Sequence, residues 1–228
     1  MDVRIIAEGP ADRDIIKAIV RAITKAEPEN IVGILPSDLV DETDCYSGDF
    51  SDWYIVLEKI ADEEFLAGAM ATVEGDFILV VHIDTAERGE KGYDINVPAR
   101  SGSVEWSQYA IELRDAVKQK LEVLIPKDYR EHVAYAIAIE ETEAWVIPLF
   151  ESVRQDTAKH AQPKERLGRA IGTDEKLQRH FVNTAKKALD YQKLGRALVH
   201  NLKQCRSKNN SLNAFCLELE TLSSNLNS

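Results

Sequence analysis

The sequence predicts an α/β protein whose mostly parallel sheet is flanked by helices and followed by a helical C-terminal extension. Apolar runs such as Phe77–Ile83 lack the polar alternation of half-exposed strands, which is typical of parallel strands buried on both faces. Segments with apolar residues at helical spacing separate these runs, and this alternation favours a doubly wound, Rossmann-like sheet. After Phe150 we find no convincing strand, so the rest of the chain is predicted to be helical.

Five predicted elements precede the longest loop of the sequence. The first strand is a short β-branched run, and Asp12 is a suitable N-cap for the helix that follows it. Residues 36–51 are acidic and without periodicity, which predicts a loop whose last residue, Ser51, caps the next helix. The elements are a strand over Val3–Ala7, a helix over 12–26, a strand over Ile31–Leu35, a helix over Trp53–Ala71 and a strand over Phe77–Ile83.

The second half begins with a charged segment over residues 85–102 that is too long for a simple connection, and loops of this kind are often functional. We divide the 228 residues into an α/β domain over 1–150 and a basic helical extension over 151–228 that packs on it. The predicted elements are a helix over Val104–Leu121 capped by Ser103, a strand over Val133–Ile139, a helix at EETEAW, helices near 163–170, 174–189, 190–204 and 211–222, and a frayed tail beyond Thr221.

Charge is distributed unevenly along the chain. The formal net charge of −11 argues against a protein that holds nucleic acid by bulk positive charge. Residues 1–150, however, carry 14 basic and 31 acidic residues, whereas residues 151–228 carry 14 basic and 8 acidic ones. The basic excess is strongest over Lys159–Lys208. This basic segment either forms a solvated helical surface or contacts phosphates, with the acidic residues of 1–150 binding metal in the second case.

Several classes of protein are excluded by missing signals. The three cysteines are widely spaced and form no CxxC pair, which excludes a zinc ribbon and a disulfide scaffold. No Walker A, GxGxxG or GxSxG motif occurs, so we expect no nucleotide cofactor. The N-terminal residues lack the basic flank and long apolar run of a signal peptide, and no stretch approaches the ~20 apolar residues of a membrane span. We therefore expect a cytoplasmic protein with no membrane partner.

Acidic residues follow three of the predicted strands. In an open α/β sheet, ligands bind at the carboxyl ends of the strands, so these acids converge if the strands are neighbours. Clustered carboxylates suit Mg²⁺ or Mn²⁺, which can orient a phosphodiester and activate water. The candidate metal ligands are Glu8 and Asp12 after the first strand, Asp84 after the central strand, and Glu140 or Glu143 after the strand at 133–139.

Each of these acids also has a structural interpretation. Glu8 and Asp12 are acceptable as a strand end and a helix N-cap, and that is the more economical view of this pair alone. Asp84 is harder to explain in this way, because it ends a long apolar strand. Glu140 and Glu143 would share one helical face if the segment is an α-helix. His82, inside the apolar run, is interpreted as a buried core histidine rather than a ligand.

The motifs EGPAD and HID, followed by EETEAW, resemble those of the TOPRIM domain, which has an EG-containing motif and a later DxD. The resemblance is closest to the overcoming-lysogenization-defect (OLD) nucleases. YQKLGRAL and NNSLNAFC also resemble small stand-alone TOPRIM-like proteins of unassigned function that are often encoded beside ATPases in bacterial defence or mobile loci. The resemblance covers most of the chain on short motifs. It implies a TOPRIM-like fold, a nucleic-acid substrate and an ATPase protein as a partner.

Carried across residue by residue, the resemblance implies catalytic roles for Glu8, Asp84 and Lys193. Glu8 matches the family's metal-binding or catalytic Glu, Asp12 the second acid of its first motif, and Asp84 the first Asp of DxD. Glu140 or Glu143 resembles a later acidic ligand, and Lys193 a late lysine that faces phosphate, with Arg196 beside it. The second DxD position is Ala86, a departure that puts two-metal chemistry in doubt; Glu87, Glu90 and Glu141 are candidates to substitute.

We therefore expect an Mg²⁺- or Mn²⁺-dependent nuclease that acts on DNA or RNA. Two alternatives stay open. Because Ala86 occupies a metal position, the chain is alternatively a non-enzymatic interaction module that pairs with an ATPase. A phosphatase of small phosphoesters is a weaker third interpretation.

Overall fold

The computed structural model describes residues 1–37, 52–95, 100, 105–186 and 188–226. Its centre is a parallel sheet of four strands in the order β2–β1–β3–β4. The strands are β1 (Asp2–Ile6), β2 (Ile31–Leu35), β3 (Phe77–Asp84) and β4 (Val133–Ala138). The prediction of an α/β protein with a parallel sheet flanked by helices is confirmed. Strand ends agree with the predicted ends to within one residue, because long apolar β-branched runs define strands well.

Helices cover both faces of this sheet. Before β4 the α-helices are α1 (Pro10–Thr24), α2 (Trp53–Ala61), α3 (Glu63–Met70) and α4 (Trp106–Leu124). After β4 they are α5 (Pro163–Gly172), α6 (Glu175–Phe181), α7 (Tyr191–His200), α8 (Leu202–Arg206) and α9 (Asn210–Leu226). Short 3₁₀ helices lie at Pro28–Asn30, Lys127–His132, Thr142–Trp145, Ile147–Leu149 and Thr157–Lys159. No helix within the described ranges is long and apolar enough to cross a membrane.

The side chains on the two faces of β4 differ in size, and this difference explains how the C-terminal helices pack against the strand. Ala134, Ala136 and Ala138 face one buried cluster, which contains α1, α7 and α9. The larger side chains between them, such as Tyr135 and Ile137, face a second cluster with α2 and α4. Small residues on one side let α9 approach the strand closely. The hydrophobic core of the first cluster therefore includes residues from both sides of position 150, and the domain boundary there stays a prediction.

Glu218 of α9 ties the C-terminal region to the edge of the sheet. Its Oε2 accepts a hydrogen bond from the backbone N–H of Tyr135 at 2.8 Å, and its Oε1 pairs with Arg114 at 2.7 Å and with Lys118 at 2.8 Å. β4 ends the strand order, so its outer N–H groups would otherwise lack a partner. This contact caps an exposed strand edge with a charged side chain.

The first helical predictions need two corrections. Asp12 is not the N-cap of α1, because Pro10 occupies the first helical turn and Gly9 precedes it as the cap. The single helix predicted over Trp53–Ala71 is two helices. Asp62 separates them, since its side chain accepts a hydrogen bond from Phe65 N and so caps α3. The predicted caps Ser51 and Ser103 lie outside the described residues.

Predictions for the C-terminal region were less accurate. The helix predicted over 174–189 ends at Phe181, and a short antiparallel hairpin follows, so the expectation of no strand after Phe150 was wrong. The Asn183 side chain accepts hydrogen bonds from Ala185 N and Lys186 N, a turn that competes with continued helix. The hairpin strands are β5 (Val182–Asn183) and β6 (Ala188–Leu189).

Three more helical predictions were wrong in detail. The helix predicted over 190–204 is broken at Asn201 into α7 and α8. The segment EETEAW forms a 3₁₀ turn at Thr142–Trp145 instead of an α-helix. The tail beyond Thr221 was predicted to be frayed, but it is helical up to Leu226. Ser223 is buried, and Leu222 and Leu226 pack against the core. Tertiary packing thus extends a helix whose local signals are weak.

Candidate metal centre

Acidic side chains from neighbouring segments meet at the carboxyl edge of the sheet. Glu8 follows β1, Asp84 ends β3 and residues 140–143 follow β4, and these strands lie side by side. Asp12 joins them from the first turn of α1, because Pro10 starts that helix four residues after the last residue of β1. The parallel register therefore places the acids at one edge, as ligand sites of open α/β sheets require.

Glu8 and Asp84 contact each other directly. Oε1 of Glu8 accepts a hydrogen bond from the backbone N–H of Asp84, whose side chain is only 17 % exposed. Burial raises the pKa of Asp84 well above its ordinary value, and the negative charges of Asp12, Glu143 and Glu141 raise it further. Burial, followed by the charge of Asp84, also raises the pKa of Glu8. The ionised carboxylates destabilise one another, and bound protons or a bound cation relieve this repulsion.

His82 contacts Asp84 from within the core. The imidazole is completely buried, and its Nε2 lies 2.8 Å from Thr142 Oγ1 and 3.2 Å from Asp84 Oδ1. The Thr142 hydroxyl donates to the same Asp84 oxygen at 3.3 Å. His82 Nδ1 has no hydrogen-bond partner in the described structure. Together, His82 and Thr142 fix the position of Oδ1 of Asp84.

The geometry fits a divalent cation. One ligand atom from each of Asp12, His82 and Asp84 lies within 4.8 Å of the other two, which is close enough for one ion to contact all three. Carboxylates suit Mg²⁺ and Mn²⁺, whereas an imidazole nitrogen favours transition metals. Within the described residues, neither aspartate forms an ion pair with a lysine or arginine, and the basic group that contacts Asp84 is His82, which pairs with it only when protonated.

Glu143 extends this cluster on the side of α7. Its side chain is buried, and its Oε1 accepts a hydrogen bond of 2.5 Å from the hydroxyl of Tyr191. Burial raises the pKa of Glu143, while the Tyr191 hydrogen bond acts in the opposite direction. Burial, followed by the charge of Glu143, raises the pKa of the Tyr191 phenol. Tyr191 is therefore a neutral donor that orients Glu143.

Glu140 has a different environment from Glu143. The expectation that the two share a helical face is wrong, because Glu140 precedes the 3₁₀ turn and has a left-handed backbone with φ of 65°. Its carboxylate pairs with Arg88 at 3.1 Å and with Arg100, and its N–H donates to Thr85 Oγ1 at 2.8 Å. Two arginines thus neutralise Glu140 in this structure. Its role as a metal ligand stays a prediction.

The candidates to replace the missing DxD aspartate lie at the margin of the cluster. Ala86 is exposed, and its N–H donates to the Glu140 carbonyl at 3.1 Å. Glu87 and Glu90 are exposed on the turn after β3, and burial followed by the charges of Glu90 and Glu141 raises the pKa of Glu87. Glu141 accepts a hydrogen bond from Lys164 N at 2.9 Å, so it also caps α5. Glu87 and Glu141 therefore influence each other electrostatically.

The two predicted phosphate contacts both lie on α7. Lys193 pairs with Asp190 at 3.2 Å, and its backbone N–H is capped by the same side chain. Arg196 is exposed one turn further along the helix. The basic residue that acts electrostatically on Glu143 is Lys164, whose charge lowers the pKa of that carboxyl. The structure does not identify Lys164 or Lys193 as a catalytic group.

Sequence reasoning missed four residues of this site. His82 was interpreted as a core histidine, but it lies two residues before Asp84 in a strand, and alternation places both side chains on the same face. That spacing was an available signal. Thr142, Tyr191 and Lys164 had no such signal, since each reaches the cluster through the folding of a separate segment.

Comparison of the chain with protein-family models, with curated proteins and with solved structures gives no match. The TOPRIM resemblance therefore rests on the short motifs alone.

Proposed function

We propose that the chain is a TOPRIM-like, metal-dependent phosphodiester hydrolase that acts on DNA or RNA. The observation that supports this most is the largely buried pair of Glu8 and Asp84, joined by a hydrogen bond and flanked by Asp12 and Glu143, with no lysine or arginine ion-pair partner in the described chain. Buried carboxylates without such a partner are unfavourable for folding, so their presence favours a bound cation.

Asp12, His82 and Asp84 are the residues whose ligand atoms lie close enough together to hold one ion, and we place Glu8 and Glu143 beside it. When bound, a divalent ion in such a site orients the phosphodiester and water and stabilises the leaving oxygen. The chain itself positions the ligands. Asp84 Oδ1 is held by His82 and Thr142, and its backbone N–H holds Oε1 of Glu8.

The turn after β3 supports the same aspartate from outside. The Tyr93 hydroxyl donates to the Asp84 carbonyl at 2.8 Å, and the Tyr93 ring stacks on Trp53 at 5.3 Å between centroids. Gly92, with φ of 106°, passes so close to Trp53 that an added Cβ would lie 3.2 Å from the indole. The end of β3 is thus anchored on both sides, as a rigid ligand site requires.

Positive charge for the substrate is available beside the acids. Lys164 is exposed and acts on Glu143 electrostatically, and Lys193 is about one-third exposed on α7. We assign contact with the phosphate to these two lysines in the proposed reaction. A lysine ammonium facing a developing phosphate charge stabilises the transition state. Because Ala86 replaces an acid, the proposal involves one metal held by the inner acids rather than two.

A cleavage assay tests the proposal. Labelled single- and double-stranded DNA and RNA are incubated with the wild-type protein in Mg²⁺, Mn²⁺ or EDTA. We expect cleavage only with metal, and its loss in Glu8→Gln and Asp84→Asn. Asp128→Asn is the matched control, because Asp128 is an exposed acid that precedes β4 and so lies at the opposite edge of the sheet from the site. This variant should cleave like the wild type.

Two results would replace this proposal with another. Calorimetry that detects no Mn²⁺ binding at millimolar metal, together with no cleavage, would favour a non-enzymatic interaction module. Hydrolysis of a chromogenic phosphomonoester without cleavage of any polynucleotide would favour a phosphatase. Metal-dependent cleavage that is undiminished in Asp84→Asn would contradict the assigned ligand set.

A further inference from the structure

A groove separates the outer surfaces of α1 and α7. Its volume is about 590 Å³, and it lies outside the acidic cluster. The side chains that line it on the two helices are Asp14, Lys17, Ala18, Arg21 and Ala22 of α1 and Gln192, Arg196 and Val199 of α7, with Pro28 and Ile31 closing one end. A volume of this size is typical of pockets that hold small ligands or short segments, about 300–1,000 Å³.

The two helices that form the groove run in the same direction, away from the acidic cluster. At their first turns, Tyr191 of α7 reaches Glu143 and lies within electrostatic range of Asp12. One turn further, Gly195 packs against Ala18, where an added Cβ would lie 3.0 Å from the Ala18 Cβ. At the far end, Val199 and Arg21 line the same groove. The groove therefore leads away from the cluster along two closely packed helices.

The groove carries a net positive charge. Asp14 and Lys17 have opposite charges one turn apart, so Arg21 and Arg196 determine the sign. Both arginines are exposed, and in the described part of the chain neither forms an ion pair. They lie on opposite walls, one on each helix. Between them the floor is apolar, with Ala18, Ala22 and Val199 among its residues.

We propose that this groove binds the phosphodiester backbone of a single-stranded polynucleotide that extends from the acidic cluster. The inference rests on the proposed function, since it assigns a path to the substrate of that site. From Asp12 to Arg21 the helix rises about 14 Å, enough for a few nucleotides. Arginine guanidinium groups contact phosphate oxygens through paired donors, and an apolar floor accepts sugars and bases. The apolar floor between the two arginines suits exposed bases, which a single strand offers and a duplex keeps stacked inside, so a single strand is the expected occupant.

Binding of a labelled oligonucleotide in EDTA tests the groove separately from catalysis. The probe is a 5′-fluorescein 20-nucleotide single strand, followed by fluorescence anisotropy at several salt concentrations. Each phosphate contact to a single strand contributes about −0.7 to the slope of log K against log salt. The double variant Arg21→Gln/Arg196→Gln should bind more weakly, with a slope less steep by about 1.4.

A matched control removes two exposed positive charges from other surfaces. Arg154→Gln/Lys127→Gln lowers the net charge equally, but neither residue lines the groove. Its slope should equal that of the wild type. Circular dichroism checks that both double variants are folded. Equal slopes for all three proteins, equal losses in the two double variants, or tighter binding of a duplex of the same sequence would overturn the inference.

The proposed function has its own readout in the same preparation. Hydrolysis of bis(p-nitrophenyl) phosphate by the wild-type protein in Mn²⁺ measures the chemistry on a diester too small to need the groove. Hydrolysis of the diester without groove-dependent binding would overturn the groove proposal and leave the proposed function standing. Groove-dependent binding without any hydrolysis of the diester or of the oligonucleotide supports the binding surface and contradicts the catalytic proposal.

Discussion

Replacement of Asp84 by asparagine removes a charge from the candidate site and preserves the shape of the side chain. Ligand atoms of Asp12 and Asp84 lie within 4.8 Å of each other. At this separation and an effective dielectric constant of about 20, two negative charges repel by about 3.5 kcal/mol. Burial and neighbouring acids raise the pKa of Asp84, so a bound proton relieves part of this repulsion at neutral pH. We therefore expect the metal-free variant to gain about 1–3 kcal/mol in free energy of unfolding.

Metal should stabilise the wild-type protein much more than the Asp84→Asn variant. A ligand present at 100 times its dissociation constant stabilises the folded state by about 2.7 kcal/mol. For a chain of this length each kcal/mol shifts Tm by about 2–4 °C. Mn²⁺ should thus raise the Tm of the wild-type protein by about 5–11 °C at pH 7, whereas Asp84→Asn should start from a higher Tm and gain little. Differential scanning fluorimetry with and without Mn²⁺ measures both quantities.

The control for this experiment is Asp128→Asn, which removes an exposed carboxylate from the 3₁₀ turn before β4. Its Tm and its response to Mn²⁺ should match those of the wild type. The reasoning is refuted if Asp84→Asn has a lower metal-free Tm than the wild type, since the carboxylate would then be stabilising. It is also refuted if the variant keeps the full Mn²⁺ shift.

Three further predictions concern pH, a hydrogen bond and helix packing. The folded-state pKa of Glu8 is raised, so the stability that this group contributes is fully present below the ordinary carboxyl pKa of about 4 and is lost as pH rises. The free energy of unfolding of Glu8→Gln, measured in urea, should therefore increase relative to that of the metal-free wild type from pH 5 to about pH 8. Tyr191→Phe should destabilise the fold by about 1–3 kcal/mol and raise the pKa of Glu143, so calorimetry should show a larger loss of Mn²⁺ affinity at pH 6 than at pH 8. Gly195→Ala should lower Tm, because overpacking costs about 1–3 kcal/mol and exceeds a helix-propensity gain of about 1 kcal/mol. Gly168→Ala, where the added methyl group meets open space, should raise Tm. A higher Tm for both variants would contradict the close packing of α1 and α7.

The sheet was predictable because its signals are local. The strands of the four-stranded sheet are mostly apolar runs, interrupted in β1 by the buried Arg4, and each crossover helix before residue 150 has apolar residues at helical spacing. The errors occur where a tertiary contact or a side-chain cap decides the outcome. Asp62 ends one helix and begins another, and Asn183 forms a turn where the periodicity suggested continued helix. The burial of Ser223 likewise depends on packing that a single segment does not encode.

For the candidate site, strand ends were predictable and side-chain partners were not. Glu8 and Asp84 follow apolar strands, and the parallel order of β1, β3 and β4 makes them neighbours. Glu140 and Glu143 looked equivalent in sequence. Their environments differ because a left-handed residue at Glu140 turns the chain, and because the arginine at position 100 comes from a distant loop. No local pattern determines which of two adjacent acids receives a basic partner.

The two acids differ in the partners that their carboxylates have at the sheet edge. Glu140 is neutralised by two arginines, so it needs no further cation to be stable where it lies. Glu143 has a neutral tyrosine as its hydrogen-bond donor, and Asp84 has a hydroxyl and an imidazole. A hydroxyl donor orients a carboxylate without cancelling its charge, and the imidazole of His82 cancels the charge of Asp84 only when it is protonated. The acids that keep an uncompensated charge are therefore those that a divalent ion would stabilise, and the Asp84→Asn experiment measures that compensation directly.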